Sequence, residues 1–69
     1  MPFKYIDIKK RLLKLGFLIK RQKESHVLFV KGSIIFPVPR HGGKDISPGV
    51  ENKILSILKI NRKEFKNLI

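Results

Sequence analysis

One histidine in this chain is placed to do chemistry. His26 follows Lys23-Glu24-Ser25 and opens the apolar run Val27-Leu28-Phe29-Val30, inside a strongly basic sequence. An imidazole titrates near ~6.5 in water, so it can take or give a proton at neutral pH. Cleavage of RNA asks for little more. A base removes the 2′-hydroxyl proton, the oxygen attacks the neighbouring phosphate, and cations offset the charge that develops. A surface histidine with no chemical task is the commoner case, and composition alone does not separate the two.

Other chemistries fit less well. With two histidines and no cysteine, a zinc site would have to recruit both imidazoles and remote carboxylates, so neither a metal nor a cofactor is expected. Ser25 is adjacent to His26 in sequence, which in a strand sends the two side chains to opposite faces and argues against a Ser-His-Asp set. Gly42-Gly43 alone lacks the spacing of a phosphate-cradling loop. Charge is more informative: sixteen Lys and Arg against five Asp and Glu give +11 and a pI near 10.5. That density exceeds what solubility requires and favours a polyanion, whether nucleic acid, anionic membrane surface or acidic protein.

The elements that must position His26 are few. A chain of 69 residues reads as one domain spanning 1–69, burying only roughly 60% of its unfolded surface. Without cysteine it has no disulfide support, so its apolar residues must build two layers around one core, with no deep pocket. No apolar run approaches the ~20 residues of a membrane span, and no secretory signal opens the sequence. A soluble cytoplasmic protein is the expectation.

Tyr5, Ile8, Leu12 and Leu15 recur at helical spacing, with Asp7 as the expected N-cap and Gly16 as the stop. Phe17–Gln22 alternates as a strand, and after the polar break Lys23-Glu24 a second strand runs from Ser25 to Lys31. A turn at Lys31-Gly32-Ser33 leads into a third strand, Ser33–Val38, whose Pro37 belongs at a sheet edge. The segment 39–45 is a loop. Ser47-Pro48 caps a second helix whose Val50, Ile54, Ile57 and Leu58 share a face. Asn61 and Glu64 form a capping box for a short last helix burying Phe65 and Leu68 or Ile69.

Pairing parity then orients the histidine. A two-residue turn at either Lys31-Gly32 or Gly32-Ser33 puts Val27, Phe29, Ile34, Phe36 and Val38 on one face, and His26, Leu28, Val30, Ile35 and Pro37 on the other. The first face is the more aromatic and is extended by Phe17 and Ile19, so both helices should cover it. His26 is then expected on the open face with Lys20 and Gln22. Leu28, Val30 and Ile35 leave an apolar patch there, of the kind that marks a partner site.

At these residues the sequence resembles the HicA-type toxins of toxin–antitoxin systems. The likeness runs through Leu15-Gly16-Phe17, Arg21-Gln22-Lys23-Glu24-Ser25-His26, Val38-Pro39-Arg40-His41, Gly49 with Ile54 and Leu58, and the short helix around Glu64-Phe65. It implies an α+β, double-stranded-RNA-binding-like α-β-β-β-α fold with a three-stranded antiparallel sheet and helices on one face. It also implies a metal-independent endoribonuclease acting on mRNA and restrained by a HicB-type antitoxin. The family's catalytic histidine lies in a Gly-Ser-His motif that maps onto Ser25-His26, with Glu24 in place of the glycine.

Under that reading His26 is the general acid/base. Lys20, Lys23, Arg40, His41 and Lys44 grip single-stranded mRNA, and Leu28, Val30 and Ile35 meet the antitoxin. Two alternatives remain open. One is a non-catalytic RNA- or DNA-binding module on the same sheet, for which few exposed aromatics are available to stack bases. The other is a degenerate toxin that only binds its antitoxin.

Overall fold

The computed structural model describes residues 2–40 and 43–69. Helix α1 (Tyr5–Lys14) leads into strands β1 (Leu18–Lys23), β2 (His26–Lys31) and β3 (Ile34–Pro39), followed by helices α2 (Pro48–Leu58) and α3 (Arg62–Lys66). The strands form one antiparallel sheet in the order β1-β2-β3. This is the expected α-β-β-β-α arrangement, an open three-stranded α+β fold.

Local signals account for most of the boundaries. Lys4, not Asp7, is the N-cap of α1. Asp7 sits inside the first turn, where its Oδ2 accepts the Lys4 backbone N–H at 3.0 Å and satisfies it from within the helix. Gly16, at φ +98°, ends α1 in a Schellman arrangement. The Phe17 N–H bonds the Leu12 carbonyl and the Gly16 N–H bonds the Leu13 carbonyl. The reversal drops Phe17 into the core just before β1 begins. The β2–β3 turn is Gly32-Ser33, with Lys31 opposite Ile34 and Gly32 at φ +59°. Ser47 Oγ accepts the Val50 N–H at 3.3 Å at the start of α2. In the capping box of α3 the Glu64 N–H donates to Asn61 Oδ1 at 2.8 Å, and the Asn61 N–H to Glu64 Oε1 at 3.2 Å.

The core is built on the face predicted to be covered. Val27, Phe29, Phe36 and Val38 are buried against Ile8 and Leu12 of α1, Ile54 of α2 and Phe65 of α3. Phe17 meets Phe36 edge-on, and Phe3 meets Phe65 in the same way, each at 5.4 Å between ring centroids. Each such side chain contributes roughly 1.5–3 kcal/mol through removal from water. Phe3 and Ile46 join the core from outside any helix or strand. They are pinned by the Ile46 N–H donating to the Phe3 carbonyl at 2.7 Å. Arg11 ties α3 to α1, its guanidinium donating to the carbonyls of Phe65 and Lys66 at 3.0 and 3.1 Å. Leu68 is half-buried, while Ile69 stays exposed.

The sequence did not announce one irregularity in β1. Ile19 pairs with Phe29 and Arg21 with Leu28, so Lys20 is an extra residue with no partner opposite. This β-bulge reverses the alternation beyond it. Arg21 and Lys23 come to the face of His26, whereas Gln22, expected there, turns to the helix side.

Candidate active site

The open face of the sheet is organised in three cross-strand rows. Leu18, Val30 and Ile35 form the first, Arg21, Leu28 and Pro37 the second, and Lys23, His26 and Pro39 the third. The surface thus grades from apolar at the Gly32 end to cationic at the histidine. Ile35 is 47% and Leu18 68% exposed, and Leu28 and Val30 are half-buried. The expected apolar patch is therefore uncovered, and Leu18, which parity alone did not single out, enlarges it.

His26 is exposed at the first position of the central strand. A two-residue turn, Glu24-Ser25, brings Lys23 directly opposite it. Glu24 adopts φ +52° there, the left-handed region in which glycine is at ease and a β-carbon is not. Ser25 lies in the turn and not in the strand, so the expected opposite orientation does not hold. Its Oγ stands 3.5 Å from His26 Nδ1, a distance at the long limit for a hydrogen bond. Nε2 has no partner among the described residues.

A cleft of about 180 Å³ runs from His26 past Pro37 and Pro39 to Val50, Lys53 and Ile57 of α2. Lys53 is a cation that the sequence reading missed. Its signal was present, since it sits three residues beyond Val50 and one before Ile54, on the shoulder of the helix face that packs against β3.

Arg40 takes a different direction. Its backbone N–H bonds the Ser25 carbonyl, continuing the β2–β3 ladder to the turn that carries the histidine. Its side chain turns to the helix side, with the guanidinium carbon 5.8 Å from the Tyr5 ring centroid. Burial raises the Tyr5 phenol above its usual range, with the Arg40 charge acting in the opposite sense. These two residues line a second cleft of about 380 Å³ with Lys4, Ile6, Lys9 and Gln22. Lys4 Nζ is already engaged, at 3.1 Å from Asp45 Oδ1 and 2.8 Å from the Gly43 carbonyl.

Of the other residues expected to contact RNA, Lys20 is the exposed bulge residue and Lys44 is exposed in the loop before α2. His41 lies outside the described residues. The structure thus brings Lys23 and His26 together on one face, links Arg40 to them through backbone only, and leaves Lys20 and Lys44 apart from that row. Among the described residues, no three His, Cys, Asp or Glu side chains are grouped to hold a metal. No helix there is long and apolar enough to cross a membrane.

The chain is thus a basic α-β-β-β-α domain with an exposed histidine opening its central strand. The family model described as the HicA toxin of bacterial toxin–antitoxin systems matches residues 6–60, and the chain belongs to that family. The protein is accordingly a toxin-type component of such a system, which implies an antitoxin partner. No curated protein and no solved structure gave a significant match.

Proposed function

We propose that this toxin is a metal-independent endoribonuclease, cutting mRNA in single-stranded regions of the cytoplasm with His26 as general acid/base. The observation that carries the reading is the exposed imidazole of His26, set in one row with Lys23 and sharing a cleft with Lys53. In the proposed step, Nε2 takes the proton of a 2′-hydroxyl as that oxygen bonds to the adjacent phosphorus. The bond from phosphorus to the 5′-oxygen breaks, and the imidazolium returns its proton to the departing oxygen. A 2′,3′-cyclic phosphate and a 5′-hydroxyl result, with no net proton, water or redox partner consumed. Lys23 and Lys53 offset charge on the phosphate oxygens, and Ser25 Oγ holds the ring through Nδ1.

A HicB-type antitoxin would silence the site by covering the open face. Leu18, Leu28, Val30 and Ile35 offer it an apolar contact, and an acidic surface would suit the net charge of +11. The test is incubation of the purified protein with mRNA in chelator, wild type against His26→Ala, with end-group analysis of the products. General acid–base removal should slow cutting by about 10²–10⁴-fold. A variant that cuts at the wild-type rate refutes the assignment. Wild-type protein that binds RNA tightly without cutting supports a non-catalytic module, and one that binds only its antitoxin supports a degenerate toxin.

A further inference from the structure

The cleft on the other side of the His26 turn has chemistry that the cleavage step does not use. Its walls are the Tyr5 ring, the Arg40 guanidinium, the Gln22 amide, the Lys9 ammonium and the apolar side chain of Ile6. At about 380 Å³ it falls within the roughly 300–1,000 Å³ of small-ligand sites. Neither Arg40 nor Lys9 has a carboxylate partner among the described residues, where the ion pairs are Lys4–Asp45 and Arg62–Glu51. The cleft is therefore cationic and unneutralised at Arg40 and Lys9.

Two features connect it to the histidine. The Arg40 N–H to Ser25 carbonyl bond makes the rim of the cleft and the base of the His26 turn one piece of backbone. The Lys20 bulge does the second part. By reversing alternation it sends Lys23 to the histidine's face and Gln22 into the cleft, from consecutive positions of one strand. Bulges beside functional sites commonly re-aim side chains in this way. A chain crossing the end of the sheet over the Lys23-Glu24-Ser25 turn would meet both sites in succession.

We infer that the Tyr5–Gln22–Arg40 cleft is a nucleotide subsite for single-stranded RNA flanking the bond presented to His26. Tyr5 and Arg40 provide the ring face and guanidinium plane on which unstacked bases lie. Gln22 presents a donor and an acceptor to a base edge, and the charges of Arg40 and Lys9 meet the phosphates. The inference rests on the ribonuclease reading for its orientation, but not for the existence of the subsite.

The experiment therefore reads binding and cutting separately. Fully 2′-O-methylated single-stranded oligonucleotides, which cannot be cut, are titrated against wild type, Tyr5→Leu, Gln22→Ala and Arg40→Gln, each checked for folding by circular dichroism. Loss of one stacked base should weaken binding by about 5- to 150-fold in Tyr5→Leu, with an unchanged salt slope. Arg40→Gln should lower the salt slope by about 0.7. Gln22→Ala should bind nearly as wild type but lose preference among oligonucleotides differing in one base, and should shift the cut positions on unmodified RNA. Folded Tyr5→Leu and Gln22→Ala proteins that match wild type in affinity and base preference overturn the subsite, even if cutting still depends on His26. Tyr5-dependent binding by a protein that never cuts supports the subsite and removes the ribonuclease reading. Weakened capture of the antitoxin with unchanged RNA binding overturns the inference in favour of a protein contact.

Discussion

Glu24 stands where the resemblance to HicA-type toxins implies a glycine, and its backbone provides a sharp test. At φ +52° an L-residue sits in a region that costs roughly 1–2 kcal/mol because its β-carbon crowds the following carbonyl. Glycine avoids that cost and gives back about 0.4–1 kcal/mol through the greater freedom of the unfolded chain. Replacing Glu24 also removes one of only five acidic residues from a chain of net charge +11. The informative comparison is therefore Glu24→Gly with Glu24→Ala, since both lose the carboxylate and only alanine keeps the β-carbon. The glycine variant should be more stable by about 1 kcal/mol, which for a domain of this size corresponds to about 4–8 °C in Tm. Thermal unfolding followed by far-ultraviolet circular dichroism, at low and high salt, measures it. A glycine variant melting at or below the alanine variant would falsify the strain argument, and with it the view that the turn geometry selects the glycine of the family motif.

Further outcomes follow from other contacts. Tyr5 is the only tyrosine and there is no tryptophan, so phenolate absorbance reports it alone. It should ionise above the ordinary range near ~10, and higher still in Arg40→Gln, because Arg40 is the lowering influence. Since the folded value is the raised one, Tyr5 does not weaken the fold below the unfolded phenol range. Its contribution is lost as pH rises through the folded value, a drop that Tyr5→Phe should lack. Phe65→Ala removes a fully buried ring packed on Phe3. It should cost about 3–5 kcal/mol, a large part of the roughly 3–10 kcal/mol expected for the whole domain, and should leave it largely unfolded on warming. Arg62→Met strips the buried Glu51 carboxylate of its 2.8 Å partner. Because the arginine is 38% exposed, the loss in a urea titration should be only about 1–2 kcal/mol.

The order of elements was legible because most boundaries had a local cause. Gly16, Gly32-Ser33, Ser47-Pro48 and Asn61 with Glu64 each set a backbone conformation or satisfy a terminal amide, and neither requires knowledge of the rest of the chain. Parity across the β2–β3 turn likewise put His26, Leu28, Val30 and Ile35 on the open face. The arrangement around β1 was not legible. Nothing in Leu18–Lys23 distinguishes six alternating residues from five with an insertion, because the bulge depends on how β1 meets β2. That one uncertainty misplaced Gln22 and concealed Arg21. Arg40 was placed with RNA by its charge, but its face depends on how far the β2–β3 ladder extends past the last strand residue. Phe3 and Ile46 have no periodic neighbours, so only the closed fold reveals them as core.

The two prolines of β3 bear on how the sheet meets other chains. Arg40 donates inward to Ser25, so by the antiparallel alternation the backbone nitrogens of residues 37 and 39 point away from β2. Both positions are proline, and proline has no N–H to offer. The outer border of β3 is thereby largely stripped of hydrogen-bond donors along half its length, and a further strand cannot be zipped onto it there. The border of β1 keeps its donors, guarded by a bulge and the charges of Lys20, Arg21 and Lys23. A partner strand that needs a full ladder must therefore pair with β1, because β3 keeps an outward donor only in its first half. Two proline rings thus bias the growth of a small, highly charged sheet toward one of its borders.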